Sequence, residues 1–169
     1  MASLFRRILV PHDFSSHANR ALKLAADLAR DQRGGRLRVL HVIPPFTPMA
    51  GLPPAEMGAY IPPANLIADE RAHLERVVGK AVAGRGAPAV ECQVVIGDPH
   101  HRIVDACRGM DAVVMATTGR TGLAHLLIGS VAEKVVRHAP IPVLTLRPPG
   151  TRAARVRTPK RAGRPRKGR

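Results

Sequence analysis

The segment from Ala116 to Ser130, ATTGRTGLAHLLIGS, has the residue types and spacing needed to hold a phosphate. Gly119 is followed, after nine residues, by Gly129 and Ser130, so unencumbered backbone stands at both ends of one loop. The apolar run Ala112 to Met115 reads as a buried strand, and the spacing of Val131, Ala132, Val135 and Val136 is helical. Strand, glycine-bearing loop and helix N-terminus form a geometry that binds anions. The free N–H groups of a first helical turn and the positive end of its dipole point at the same place. The chemistry indicated is nucleotide binding.

No comparable set supports catalysis. The chain shows no Ser-His-Asp arrangement, no zinc motif and no Gly-Lys-Ser phosphate loop. The expectation is therefore a sensor or switch, with ATP hydrolysis slow and incidental at most. His100 and His101 are adjacent in a predicted first helical turn and point in different directions. With no Cys, His or acid at metal-ligand spacing beside them, they read as surface histidines, and no metal site is expected. His12, next to Asp13, is placed to line a pocket, whereas His41 and His138 read as structural or exposed.

The elements that must position these residues alternate. Ile8-Leu9-Val10 is a strand ending at Pro11, and Ala18, Ala21, Leu22, Ala25, Leu28 and Ala29 recur at helical spacing until Gly34-Gly35. Leu37 to Ile43 is a second strand. Residues 44–64 hold seven prolines and read as a loop, placed to act as a lid over a ligand. Leu74, Val77, Val78, Ala81 and Val82 mark a helix, and Val90 to Ile96 a third strand. Asp98-Pro99 is a helix start, cap then first-turn proline, for a helix reaching about Arg108. Ala112 to Ala116, a helix from Ser130 to near His138, and Val143 to Leu146 complete the series, with Pro142 suited to an edge strand. Such alternation implies a parallel α/β sheet with helices on both faces, and ligands in such sheets sit beyond the carboxyl ends of the strands, where the winding reverses. Asp13 and the glycine loop occupy the turns after strands one and four.

Two stretches together resemble the universal stress protein family over roughly residues 4–147. They are Ile8-Leu9-Val10-Pro11-His12-Asp13-Phe14-Ser15, and Gly119-Arg120-Thr121-Gly122-Leu123 with Gly129-Ser130-Val131-Ala132-Glu133-Lys134-Val135 and His138-Ala139-Pro140-Ile141-Pro142-Val143-Leu144. The resemblance implies a Rossmann-like five-stranded parallel sheet of order 3-2-1-4-5 and a homodimer formed through the last strand, Val143 to Leu146. It also implies a site for ATP, with Mg²⁺ as its companion ion. Family members that bind ATP carry Gly-x2-Gly-x9-Gly-Ser/Thr, which falls here on Ala116, Gly119, Gly129 and Ser130. The first glycine is thus alanine: its methyl group obstructs the ligand if the residue needs positive φ, and costs little if φ is negative. By the same resemblance Asp13 lies near ribose and adenine, after Pro11, and Val42 presents backbone and apolar surface to the adenine. Gly119, Gly129, Ser130 and Val131 surround the phosphates, and Arg120 joins them here because a guanidinium suits phosphate oxygens. A branch of the family without nucleotide, acting through protein contacts, is the alternative.

Several of these residues have a plainer reading. Asp13 can cap the first helix, with Ser15 or Ser16 sharing the task. Ser130-x-x-Glu133 is a capping box that needs no ligand. Gly122 reads as a turn, Arg120 equally as a solvated charge, and Leu123, Leu126, Leu127 and Ile128 as closing the core over the loop.

Of 169 residues, 45% are apolar and only 2% aromatic, so the core is aliphatic, as in sheets buried on both faces. The formal charge of +15 is uneven: nine of the 27 basic residues and none of the 12 acidic ones fall in 151–169. Residues 1–149 read as the nucleotide-binding domain and 150–169 as a disordered basic tail. Lys160, Arg161, Gly163, Arg164, Pro165, Arg166 and Lys167 resemble an AT-hook, in which Gly-Arg-Pro lies in a narrow minor groove and flanking cations hold phosphates. Ala162 stands where that motif has arginine. DNA association through the tail is accordingly a further alternative, against a basic tail with general polyanion affinity. Cys92 and Cys107 read as buried free thiols, though a disulfide stays open. Lacking a signal core or a membrane-length apolar span, the chain is expected to be soluble and cytoplasmic.

Overall fold

Alternating apolar residues along the inner strands sort the core onto the two faces of one sheet. The computed structural model describes residues 5–45, 63–84, 86–117 and 129–147. Its elements are β1 (Arg7–Pro11), α1 (Ser16–Arg30), β2 (Arg36–Ile43), α2 (Leu66–Val82), β3 (Ala89–Ile96), α3 (Pro99–Ala106), β4 (Ala112–Ala116), α4 (Ser130–His138) and β5 (Val143–Leu146). All four strand pairings are parallel, in the order β3-β2-β1-β4-β5. This is the expected fold. The prolines at 48, 53, 54 and 62 lie outside the described residues, as do Gly119, Arg120, Gly122, the apolar residues 123 and 126–128, and the whole basic tail.

On one face Ile8, Val10, Leu37, Val39 and Val114 pack against Ala21, Leu22, Ala25 and Ala29 of α1 and Leu74, Val78 and Val82 of α2. On the other Leu9, Leu40, Val113 and Met115 pack against Ile103 and Cys107 and against Ala132 and Val135 of α4. The central strands are buried almost end to end, while edge strand β3 alternates between covered and exposed positions. That contrast follows from having helices over both faces at the centre and fewer neighbours at the rim. Each fully buried Leu or Val contributes roughly 1.5–3 kcal/mol relative to exposure. Cys92 and Cys107 are both free thiols, the first half-buried and the second buried.

Two local devices fix the frame. Asp111, just before β4, accepts from the backbone N–H of Arg6 and Arg7 at 3.1 and 2.8 Å and pairs with the Arg7 guanidinium at 2.8 Å. The Arg7 hydrogen bond holds this carboxyl below the usual carboxylate range. Gly35 lets the chain turn tightly under α1, where an added Cβ would lie 1.9 Å from the Ala29 carbonyl oxygen. α1 itself stops earlier than Gly34-Gly35 suggests, with Asp31 as its C-cap.

Candidate functional site

β1 lies between β2 and β4, so the winding of the sheet reverses beside it, and the carboxyl ends of β1 and β4 mark the switch point at which such sheets hold their ligands. Pro11 ends β1 opposite Leu40 of β2, and His12 N–H extends the ladder to the Leu40 carbonyl at 2.8 Å. Asp13 follows, half-buried, and its carboxylate accepts from Ser15 N–H at 3.1 Å. Ser15, not Asp13, is the cap of α1: its hydroxyl accepts from Ala18 N–H at 3.0 Å. Sequence left both residues open for that task. Asp13 instead shapes the turn that leads into the helix.

This corner is built of aromatic rings that the linear pattern did not join. Phe14 has φ of 64°, the left-handed region that a bulky residue rarely occupies. Its ring stacks on His73 of α2 at 4.5 Å, tilts against His41 at 4.4 Å and meets His12 edge-on at 5.6 Å. His41, buried, donates from Nδ1 to the His12 carbonyl at 2.7 Å and is structural, as expected. Nδ1 of the buried His12 accepts from Phe14 N–H at 3.2 Å, which leaves the proton on Nε2 to meet Asn19 Oδ1 at 3.3 Å. Burial lowers the His12 pKa, against a smaller raising effect from Asn19 and Asp13. His12 is therefore a neutral strut rather than a cation for phosphate.

Val42 is the penultimate residue of β2, beside Val95 of β3, and half-buried against the second core cluster. On the β4 side of the switch point, Ala116 ends the strand. Phe14 alone among the described non-glycine residues has positive φ, so Ala116 has a negative one and its methyl group carries no backbone strain. The next residue, Thr117, was not singled out in the sequence. It is buried and bonds the Leu146 carbonyl through both N–H (2.9 Å) and hydroxyl (3.1 Å). Its carbonyl accepts from Gly129 N–H at 2.5 Å, which brings the end of β4 directly to the start of α4.

Gly129 is the N-cap of α4, extended at φ −69° and ψ 151°, with no side-chain cap bond. Ser130 is the first helical residue, and this corrects the capping-box reading. Glu133 N–H bonds the Gly129 carbonyl at 2.9 Å, and the Glu133 carboxylate pairs with Arg137 at 2.9 Å. With no described side chain capping it, the first turn of α4 offers N–H donors to an anion. Val131 turns half-buried toward the second core cluster. The structure thus gathers Pro11, Asp13, Ala116, Gly129 and Ser130 around the β1–β4 switch point.

A family model, the universal stress protein family, matches residues 4–147. The chain belongs to this family. A universal stress protein of Thermus aquaticus is 35% identical over 146 residues, covering 85% of this chain and all of the relative. The universal stress protein MJ0531 of Methanocaldococcus jannaschii is 32% identical, covering 87% of this chain and 85% of the relative. Among solved structures, MJ0577 of that organism superposes with a TM-score of 0.68 at 25% identity, covering 88% of this chain and 99% of its own. Two family structures hold nucleotides. A universal stress protein in complex with cAMP has a TM-score of 0.57 at 22% identity, covering 85% of this chain and 97% of its own. An Arabidopsis thaliana family protein with AMP bound has a TM-score of 0.54 at 21% identity, covering 83% and 90%. At those identities the last two show the shared fold alone.

Proposed function

We propose that this universal stress protein binds ATP in the β1–β4 crevice and acts as a cytoplasmic stress-response switch with little or no catalysis. One observation carries the reading: the first turn of α4 opens beside the end of β4 behind a glycine N-cap, and none of the described side chains caps its N–H donors. Asp13 takes a ribose hydroxyl or adenine amino group, and Val42 and Pro11 supply apolar surface. Gly119, Arg120, Gly129, Ser130 and Val131 surround the phosphates, with Mg²⁺ as companion ion. Two proteins of the same fold carry AMP or cAMP, which agrees with an adenine nucleotide here. The negative φ at Ala116 removes the backbone objection to the missing glycine.

Residues 1–149 form the nucleotide-binding unit in this reading. β5, an edge strand whose Leu144 is 45% exposed, joins two copies into a homodimer. None of the described helices is long and apolar enough to cross a membrane. A second reading concerns residues 150–169: with nine cations and no acid, the tail holds DNA through Lys160, Arg161, Gly163, Arg164, Pro165, Arg166 and Lys167.

Calorimetric titration of ATP with Mg²⁺ into the full chain and into Gly129→Leu tests the first reading. One ATP per subunit, lost in the variant while the unfolding temperature holds, is the expected result. Equal binding by both chains assigns the heat to the tail and removes the crevice as the site.

A further inference from the structure

The first turn of α3 and the last turn of α4 bring three histidines and a carboxylate together, which their sequence positions did not suggest. Asp98 caps α3, accepting from His101 N–H at 3.0 Å. Nδ1 of His101 lies 3.4 Å, and Nδ1 of His100 3.9 Å, from the same Asp98 oxygen. One potential ligand atom from each of Asp98, His100 and His101 falls within 4.8 Å of the others. From α4, His138 Nδ1 stands 3.0 Å from His100 Nε2. The His100 ring is therefore flanked on both sides, at 4.7 Å from His101 and 4.9 Å from His138 between centroids. These residues and Ser130 share the lining of a cavity of about 400 Å³.

We propose that Asp98, His100 and His101 bind one divalent transition-metal ion of the zinc class, with His138 of α4 holding the His100 ring. Two imidazoles and a carboxylate suit zinc and its neighbours, whereas magnesium and calcium take oxygen ligands. Ligand atoms about 2.0–2.1 Å from a tetrahedral ion sit roughly 3.3 Å apart, so the 3.4 and 3.9 Å separations close with small ring movements. The His101 side chain is 75% exposed and free to turn, while that of His100 is 13% exposed and already packed. Water completes the coordination.

Proton positions follow from the hydrogen bonds. His138 Nδ1 is 2.9 Å from the Lys134 carbonyl and donates to it, so it faces His100 Nε2 as a donor and His100 keeps its proton on Nδ1. When the ion takes His100 Nδ1, the His100 proton moves to Nε2 and the His138 proton from Nδ1 to Nε2. His138 Nδ1 then accepts from His100 Nε2–H, its hydrogen bond to the Lys134 carbonyl is given up as the ring turns, and both rings stay neutral. A ligating histidine whose second nitrogen is held in this way is the usual arrangement at metal sites. Of the cations lining the cavity, Arg137 is paired with Glu133, which leaves Lys134 on its flexible stem as the opposing charge. The site does not depend on nucleotide binding.

Zinc titrated calorimetrically into the chelator-treated full chain tests it. One ion per chain is expected, with affinity reduced about tenfold or more in H100A, H101A and D98N, and by a smaller factor in H138A. Asn at position 98 keeps the helix cap, so D98N separates ligation from folding. On the wild-type chain, imidazole nitrogen resonances of His100 and His101 shift on zinc addition, and His138 changes tautomer. Undiminished zinc binding by the H100A/H101A double variant, zinc shifts confined to other histidines, or a wild-type chain that takes up no zinc overturns the proposal.

Discussion

The two walls of the crevice are built on opposite plans. At the β1–α1 turn the wall is side chain: Phe14 in a left-handed conformation, clasped by His12, His41 and His73, with Asp13 turned back on Ser15 N–H. At the β4–α4 junction the wall is backbone: Thr117 carbonyl to Gly129 N–H, then the opening turn of a helix whose N-cap is a glycine and which no described side chain caps. A packed corner ties ligand recognition to stability, because the atoms that shape it also belong to the core. A backbone wall separates them, since its donors persist whatever side chain is removed. Substitutions should therefore cost folding on one wall and ligand affinity on the other.

The largest effect should come from the packed wall. Phe14→Ala removes three ring contacts from a half-buried position and should destabilise the chain by about 2–3 kcal/mol in denaturant unfolding. Phe14→Gly sharpens the point, because glycine relieves the left-handed strain and should recover about 1 kcal/mol of that loss. A glycine variant no more stable than the alanine one would mean that the strain at Phe14 is not stored in the fold.

Next comes the backbone wall. Gly129→Leu should cut ATP affinity by at least about tenfold, roughly 1.4 kcal/mol, yet cost only about 1 kcal/mol of stability, because the extended backbone admits any residue although leucine caps a helix less well than glycine. Calorimetry and thermal unfolding of the same sample read both numbers. A variant that loses stability and affinity together would collapse the distinction between the walls.

His12 gives a pH test of the packed wall. Its folded pKa lies below the unfolded value near 6.5, so the unfolded chain binds more protons in that interval. The His12 contribution is fully present above about pH 6.5 and is lost progressively as pH falls from there toward the folded pKa. Unfolding free energy measured between pH 7.5 and 5 should fall on acidification, with a shallower slope in His12→Gln. Equal slopes in the two chains would remove His12 as the source.

Smallest should be Ser130→Ala. As first helical residue with no cap bond, Ser130 can be truncated with a stability change within about 0.5 kcal/mol, and ATP affinity should fall only a few-fold because the helix N–H donors remain. A loss of 1–2 kcal/mol in stability, the size of a lost cap, would restore the capping-box reading.

The order of elements was legible because each rule behind it is local. Apolar runs bounded by Pro11 and Asp98-Pro99 place the strands and the start of α3 within a residue or two, whereas α1 stops at Arg30, short of Gly34-Gly35, and α2 begins at Leu66, eight residues before its first apolar marker Leu74. The motif residues that could be placed stand at the switch point because alternation implies a parallel sheet, and the observed strand order is the one the family resemblance implies. The cap of α4 was misread because Ser-x-x-Glu fits a box one position out of register with the actual helix start. His100 and His101 read as isolated because Asp98 was assigned to the cap of α3 alone, and because His138, 38 residues away, arrives only when α3 packs on α4.

By itself, then, the sequence determined the α/β class, the parallel sheet and the aliphatic core, since these rest on periodicity and turn chemistry within short windows, and its motifs carried the resemblance that implied the family and its strand order. Tertiary structure alone decided that Phe14 is clasped by three histidines, that Thr117 ties β4 to Leu146, that Ala116 carries negative φ, and that Asp98, His100, His101 and His138 converge. Most of these depend on contacts between different elements, and the backbone angle at Ala116 on the strand that holds it. Those contacts are fixed by the packing of helices on the sheet, and local pattern carries no record of them.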